Sequence, residues 1–310
     1  MRNKQFKNIG HPDHGFGLIP DPAEHRYNGF HLHPASRLKA TALPPKSNNL
    51  IFAPEVWNQG QTGSCFGHGM AGQITTTFAA HMRALPSAVC PRSLYAMTRA
   101  IDRSDPSQPL ADMGSQPNSG VRALATWGFV LEAENNGGRI ATSPDYTAYL
   151  ETHVNDEPKL GELIAGKNRL RTLALEFETT SAISFNRIAD RDPQKSLRFR
   201  QALAGGHSIG VGVEAGSEIF QEYDESKSPL DYTGNAPDHW VFIVDYATAL
   251  SLRQEGSLPS AWTHIPDTEI LFLMQNSWGK GLWTQTGRAW VTERFIAQGC
   301  FGSLVTNLNV

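Results

Sequence analysis

Phe66, Met70, Ile74, Phe78 and Met82 recur at every fourth position, the repeat of one face of an α-helix. Gly67, Gly69 and Gly72 interrupt that helix. Each lowers helix propensity by roughly 1 kcal/mol relative to alanine, so the pattern predicts a central helix that a neighbouring lobe approaches closely. Further helices are expected over residues 93–100 and 121–127, the second closed by Gly128 as C-cap. Asp192-Pro193 offers an N-cap and a first-turn proline for another helix, which Gly205-Gly206 ends. Apolar runs at 208–213, 239–246, 269–275 and 288–291 read as strands. A helical first half followed by a β-rich second half predicts an α+β fold of two lobes. Residues 131–192 carry no readable period. Residues 1–48 are rich in His, Pro and Gly and read as an extended strap over a globular body beginning near Asn49.

Composition narrows the function classes. The 310 residues are 40% hydrophobic, enough for an ordinary core, and carry a formal net charge of −3. No lysine–arginine run or basic stripe points to nucleic acid. No run of about 18 apolar residues exists to span a membrane. The start, Met1-Arg2-Asn3-Lys4-Gln5-Phe6-Lys7, is charged but lacks the apolar stretch of a Sec signal peptide. Synthesis in the cytoplasm is therefore expected, with export by another route left open. The three cysteines are Cys65, Cys90 and Cys300.

The chemistry concentrates in three segments. In Gln59-Gly60-Gln61-Thr62-Gly63-Ser64-Cys65-Phe66 a cysteine follows a turn and opens the periodic run. A thiol at a helix N-terminus sits at the positive end of the helix dipole, which favours the nucleophilic thiolate. The Gln59 amide, six positions earlier, can donate a hydrogen bond to a developing oxyanion. Downstream come Asp238-His239-Trp240 at the head of an apolar strand and Asn276-Ser277-Trp278-Gly279 at the end of another. His239 is a candidate base and Asn276 a candidate for orienting it.

The order Gln, Cys, His, Asn, with N-S-W-G intact, resembles the papain-like cysteine peptidases across about residues 53–305. Phe16-Gly17-Leu18-Ile19-Pro20-Asp21-Pro22 is similar to the lead-in of bacterial-type members. The resemblance implies a helical lobe at about 49–190 carrying Cys65. A β-barrel-like lobe at about 191–300 would carry His239 and Asn276, with a tail at 301–310 and the active site in the cleft between the lobes. It implies acyl transfer to Cys65, Gln59 as oxyanion donor, and Trp278 shielding the Asn276–His239 hydrogen bond. Gly114, Trp240 and Trp278 would line the substrate site, although strand geometry could equally turn Trp240 into the core. Two departures stand out. Thr62 occupies the position of a family cysteine that pairs within the helical lobe. The strap is also shorter than the family's helical propeptide, yet it could act as an intramolecular inhibitor.

A peptide or protein is the expected substrate, with no metal or organic cofactor. A transferase or deamidase with the same triad, or a silent peptidase-fold binding module, are the alternatives. Of the other histidines, His68 is expected to pack and His207 to cap carbonyls. His11, His14, His31 and His33 fall short of a metal-ligand set.

Overall fold

The computed structural model describes residues 15–19, 43–81, 85–134, 141, 143–176, 183–232, 234 and 236–308. The first helix, α1 (Cys65–Ala80), contains the predicted face, and Phe66, Met70, Ile74 and Phe78 are all fully buried. Met82 lies outside the described residues. Two helices begin at prolines, α2 (Pro91–Asp102) and α3 (Pro117–Trp127). Gly128 ends α3 by donating its N–H to Leu124 O. The stretch without a readable period contains α4 (Tyr146–His153), α5 (Leu160–Glu176) and strand β1 (Ile183–Arg187). A buried ion pair between Arg92 of α2 and Glu162 of α5 (2.7 Å) ties the helices together.

The second half alternates α6 (Lys195–Ala204), β2 (Ile209–Val213), the short α7 (Glu218–Gln221), β3 (His239–Thr248), α8 (Ala249–Gln254), β4 (Ile270–Gln275), β5 (Arg288–Thr292) and β6 (Phe301–Leu308). The helix expected at Asp192-Pro193 begins at Lys195. The Asp192 carboxylate and carbonyl accept the N–H groups of Gln194 and Lys195 in the turn ahead of it. All strands join one antiparallel sheet in the order β1-β6-β2-β3-β4-β5. Residues 301–308 are thus not a tail: β6 pairs with β1 on one side and β2 on the other.

Strand β3 reads as one apolar run because both its faces are buried. Val241 and Ile243 join the core beneath α6, whereas Trp240 faces the helices together with Phe66 and Met70. The glycines of α1 make that contact possible. A Cβ on Gly69 would lie 2.6 Å from Trp240 Cδ1, one on Gly72 2.7 Å from Phe242 Cε1, and one on Gly67 2.6 Å from Pro91 O. α1 is therefore clasped by α2 on one side and β3 on the other. The entering chain is fastened at the end of β3, where Ser47 N donates to Tyr246 O (2.9 Å) and Thr248 N to Pro45 O (2.8 Å). Among the described residues no helix is long and apolar enough to cross a membrane.

Two glycine substitutions separate helix propensity from packing. At Gly161 a Cβ meets nothing within 4 Å, whereas at Gly69 it meets the Trp240 indole. Gly161→Ala should raise stability by up to about 1 kcal/mol. Gly69→Ala should lower it on balance, since overpacking costs about 1–3 kcal/mol. Urea unfolding midpoints check both, and a stabilised Gly69→Ala protein would contradict the close lobe contact.

Candidate active site

Cys65 is the first residue of α1, following the turn that Gln59 to Ser64 make. That turn is closed on itself. Gln59 Nε2 donates to Thr62 O (2.8 Å), Thr62 Oγ1 donates to Gln59 O (2.8 Å), and Thr62 Oγ1 meets Ser64 Oγ (2.6 Å). His68, one turn further along, is buried with Nδ1 2.9 Å from Ser64 O and its ring beside Trp57 and Tyr146. Burial lowers its pKa to about 4, which suits the packing role expected for it.

His239 opens β3 and Asn276 follows β4, two strands that pair as neighbours. His239 Nε2 lies 2.7 Å from Asn276 Oδ1, and both side chains are buried. Trp278 covers this pair, its ring 4.9 Å from that of His239. Phe220 packs edge-on to both rings and stacks on Trp283 at 4.6 Å. The sulfur of Cys65 reaches the same place from the other lobe, accepting backbone hydrogen bonds from Trp240, the residue after His239, and from Gly17. Gln59 joins the two halves: Ser277 Oγ donates to its Oε1, and its backbone N–H donates to Ser277 O (2.8 Å). Ser277 N also donates to Asn276 Oδ1 (2.7 Å). The structure thus brings Gln59, Cys65, His239, Asn276 and Trp278 together.

Trp240 sits elsewhere than a cleft wall. It is fully buried, in contact with Phe66 and filling the space left by Gly69 and Gly210. Its backbone borders the sulfur while its indole belongs to the lobe interface. The expectation of Trp240 as an open substrate contact gives way, because those two glycines make room for the ring in the core.

The cleft holds a strap of the chain's own N-terminal region, residues 15–19. Gln59 Nε2 donates to Gly15 O (3.0 Å), and Gly15 N donates to Gly60 O (3.1 Å). Ser115 N donates to Gly17 O (2.7 Å), Ile19 N to Ser115 O (2.9 Å), and Leu18 N to Asp238 O (3.1 Å). Gly114 faces this strap directly, as a Cβ there would lie 2.2 Å from Gly17 O. Phe16 sets its ring edge-on to both His239 (6.1 Å) and Trp278 (5.8 Å). A Cβ on Gly17 would fall 1.7 Å from Gly63 O, so only glycine lets the strap lie this flat. Residues 1–14 and 20–42, with His11, His14, His31 and His33, lie outside the described residues. Among those described, no cluster of three or more His, Cys, Asp or Glu could hold a metal ion.

Beneath the strap the electrostatics differ from those expected of an open helix N-terminus. Cys65 has no exposed surface. Burial pushes its thiol up to about 12, outweighing the backbone donors that stabilise the thiolate. The Asp238 carboxyl is raised to about 6 by burial, although Ala215 N and Gly216 N donate to it.

No protein-family profile and no curated protein sequence matches the chain. Solved structures do. Xylellain, a cysteine protease from Xylella fastidiosa, is 21% identical with a TM-score of 0.62, over 95% of this chain and 96% of that one. Digestive procathepsin L2 from Tenebrio molitor is 16% identical with a TM-score of 0.60, over 96% and 78%. Bromelain from Ananas comosus, solved with the inhibitor E64, is 14% identical with a TM-score of 0.54, over 86% and 100%. The chain has the papain-like cysteine protease fold. In this papain-like chain, residue order marked Gln59, Cys65, His239 and Asn276. It did not mark Phe220, whose ring meets that of His239, or Trp283, which stacks on Phe220. Trp283 alone left a signal, as a second tryptophan five positions after Trp278.

The buried thiol has a pH signature. A pKa near 12 keeps sulfur protonated and unreactive at neutral pH. Iodoacetamide should therefore modify Cys65 slowly at pH 7, with a rate still climbing beyond pH 10, as followed by peptide mass mapping. A plateau below pH 8 would contradict a closed cleft.

Proposed function

We propose that the protein is a cysteine endopeptidase held in check by its N-terminal strap. The observation that carries this reading is the set of groups now engaged by residues 15–19. The Gln59 amide, both backbone groups of Ser115 and the Asp238 carbonyl are the ones an extended peptide would use beside Cys65. The strap takes them all, and the similar proteins include a procathepsin.

Once the strap leaves, water reaches the sulfur and the thiolate forms as its proton passes to His239 Nδ1. Asn276 holds Nε2 of that ring, so the imidazolium keeps one orientation. The sulfur attacks the scissile carbonyl carbon, and the C=O π pair moves onto oxygen. Gln59 Nε2 and the Cys65 N–H stabilise that oxyanion. His239 gives its proton to the amide nitrogen as the C–N bond breaks, leaving a thioester. Water, deprotonated by His239, attacks the thioester; the S–C bond breaks and the carboxylic acid leaves. Trp278 and Phe220 keep solvent from the His239–Asn276 hydrogen bond. Gly114 and Ser115 dock the peptide backbone. No step calls on a metal or organic cofactor.

Fluorogenic peptide hydrolysis tests the reading. The full chain should turn over slowly, and Gly17→Val, which forces the strap off Gly63, should be faster. In the Gly17→Val background, Cys65→Ala and His239→Ala should abolish turnover. Gln59→Ala should lower it by about 10²–10³, the usual value of one oxyanion donor. Turnover by Cys65→Ala would refute the mechanism, and a Gly17→Val protein that is folded but no faster would refute the inhibition.

A further inference from the structure

We infer that Asp112 is a positioning residue for the oxyanion donor, acting on Gln59 through the Thr62–Gly63 peptide group. The inference rests on the peptidase reading above and adds to it a residue that touches neither sulfur nor substrate.

One peptide plane carries the argument. Its N–H, on Gly63, donates to both carboxylate oxygens of Asp112, at 2.9 Å to Oδ1 and 3.1 Å to Oδ2. Its C=O, on Thr62, accepts one hydrogen of Gln59 Nε2 at 2.8 Å. The other hydrogen of that nitrogen points at Gly15 O, 3.0 Å away, where the strap stands in for a substrate carbonyl. Rotation of the plane would swing the Thr62 carbonyl and with it the amide. A carboxylate that fixes the N–H end therefore fixes the direction of the donor.

Asp112 is itself held. Tyr95 of α2 donates its hydroxyl to Oδ1 (2.7 Å) and accepts the N–H of Gly114 (2.9 Å). Tyr95 is fully buried, with the Arg99 guanidinium 4.1 Å over its ring. The network therefore spans from α2 to the Gln59 turn, and it also grips the Gly114–Ser115 segment against which the strap lies. No covalent link assists it, because Cys65, Cys90 and Cys300 are all free thiols. The chemistry demands a carboxylate. Gly63 N–H and Tyr95 O–H both donate, so the residue between them must accept only, and an ionised carboxylate has two oxygens and no hydrogen to offer. An asparagine supplies one oxygen and turns an NH₂ group toward the Gly63 N–H.

A double-mutant cycle separates positioning from general structure. Peptide hydrolysis is measured for the full chain carrying Gly17→Val, with Asp112→Ala, Asp112→Asn, Gln59→Ala and both Asp112→Ala and Gln59→Ala; circular dichroism confirms the fold of each. Asp112→Ala should lower kcat by about tenfold or more, within the 10²–10³ that Gln59 itself contributes. Asp112→Asn should fall between Asp112→Ala and the parent. The decisive value is the double variant, which should be no slower than Gln59→Ala alone, since a donor that is absent cannot be misdirected. If the two losses multiply, or if Asp112→Ala turns over like its parent, the inference is overturned while the peptidase reading stands. An inert parent overturns both. If Asp112→Ala does not fold, Asp112→Asn and Tyr95→Phe take its place in the same cycle with the same criterion.

Discussion

The Gln59 side chain is gripped from three directions, and the arrangement of the cleft follows from that grip. Ser277, at the end of β4, donates to its carbonyl oxygen; Thr62, in the turn before α1, accepts from its nitrogen; and the strap supplies a further acceptor at Gly15. A buried amide that failed to find these partners would pay about 1–3 kcal/mol in lost solvation. The two lobes must therefore meet in one register for the amide to be satisfied. Ser277 extends the constraint, because its N–H bonds Asn276 Oδ1 and Asn276 bonds His239. The Gln59 amide, the Asn276 amide and the His239 imidazole form one connected hydrogen-bond network through Ser277, in which a shift of one displaces the rest.

Glycine sets how closely the parts approach. Gly69, Gly72 and Gly210 let α1 and the sheet close on Trp240 and Phe242, and Gly17 and Gly114 let the strap lie against the turn. The consequence for chemistry is complete burial of Cys65. A helix N-terminus favours thiolate by a modest amount, whereas complete desolvation opposes it more strongly, and the sulfur is held as thiol beneath the strap. Under the proposed inhibition, displacing the strap would readmit water to the sulfur and reverse that balance.

Legibility in the sequence tracked the range of the determining interaction. α1 was readable from its four-residue repeat, and β2, β3, β4 and β5 from their largely apolar runs. The order of Gln59, Cys65, His239 and Asn276 was readable from the short motifs around them. β6 was not, because Gly302, Ser303, Thr306 and Asn307 break its apolar character. Ser303 and Thr306 are nonetheless fully buried, and it is pairing with β1 and β2 that makes the segment a strand. α5 leaves Leu160 and Ile164 exposed, which blurs its apolar face, and a buried ion pair to Arg92 helps fix its place. Trp240 was undecided at the level of sequence because its orientation depends on glycines in two other elements. The contact Asp112 makes with the Gln59 turn was not legible for a different reason: there its partner is a backbone N–H, and no residue pattern encodes a side chain reaching a distant peptide group.

The central claim is that Cys65 is the nucleophile of a cleft closed by residues 15–19. Reaction with an epoxysuccinyl peptide, which alkylates an activated thiolate, followed by intact-mass kinetics and peptide mapping at pH 7, tests it most directly. The account predicts a single adduct on Cys65, with Cys90 and Cys300 untouched, forming slowly in the full chain and faster in Gly17→Val. An adduct on Cys90 or Cys300 in the folded protein, or equal rates for the two chains, would contradict it.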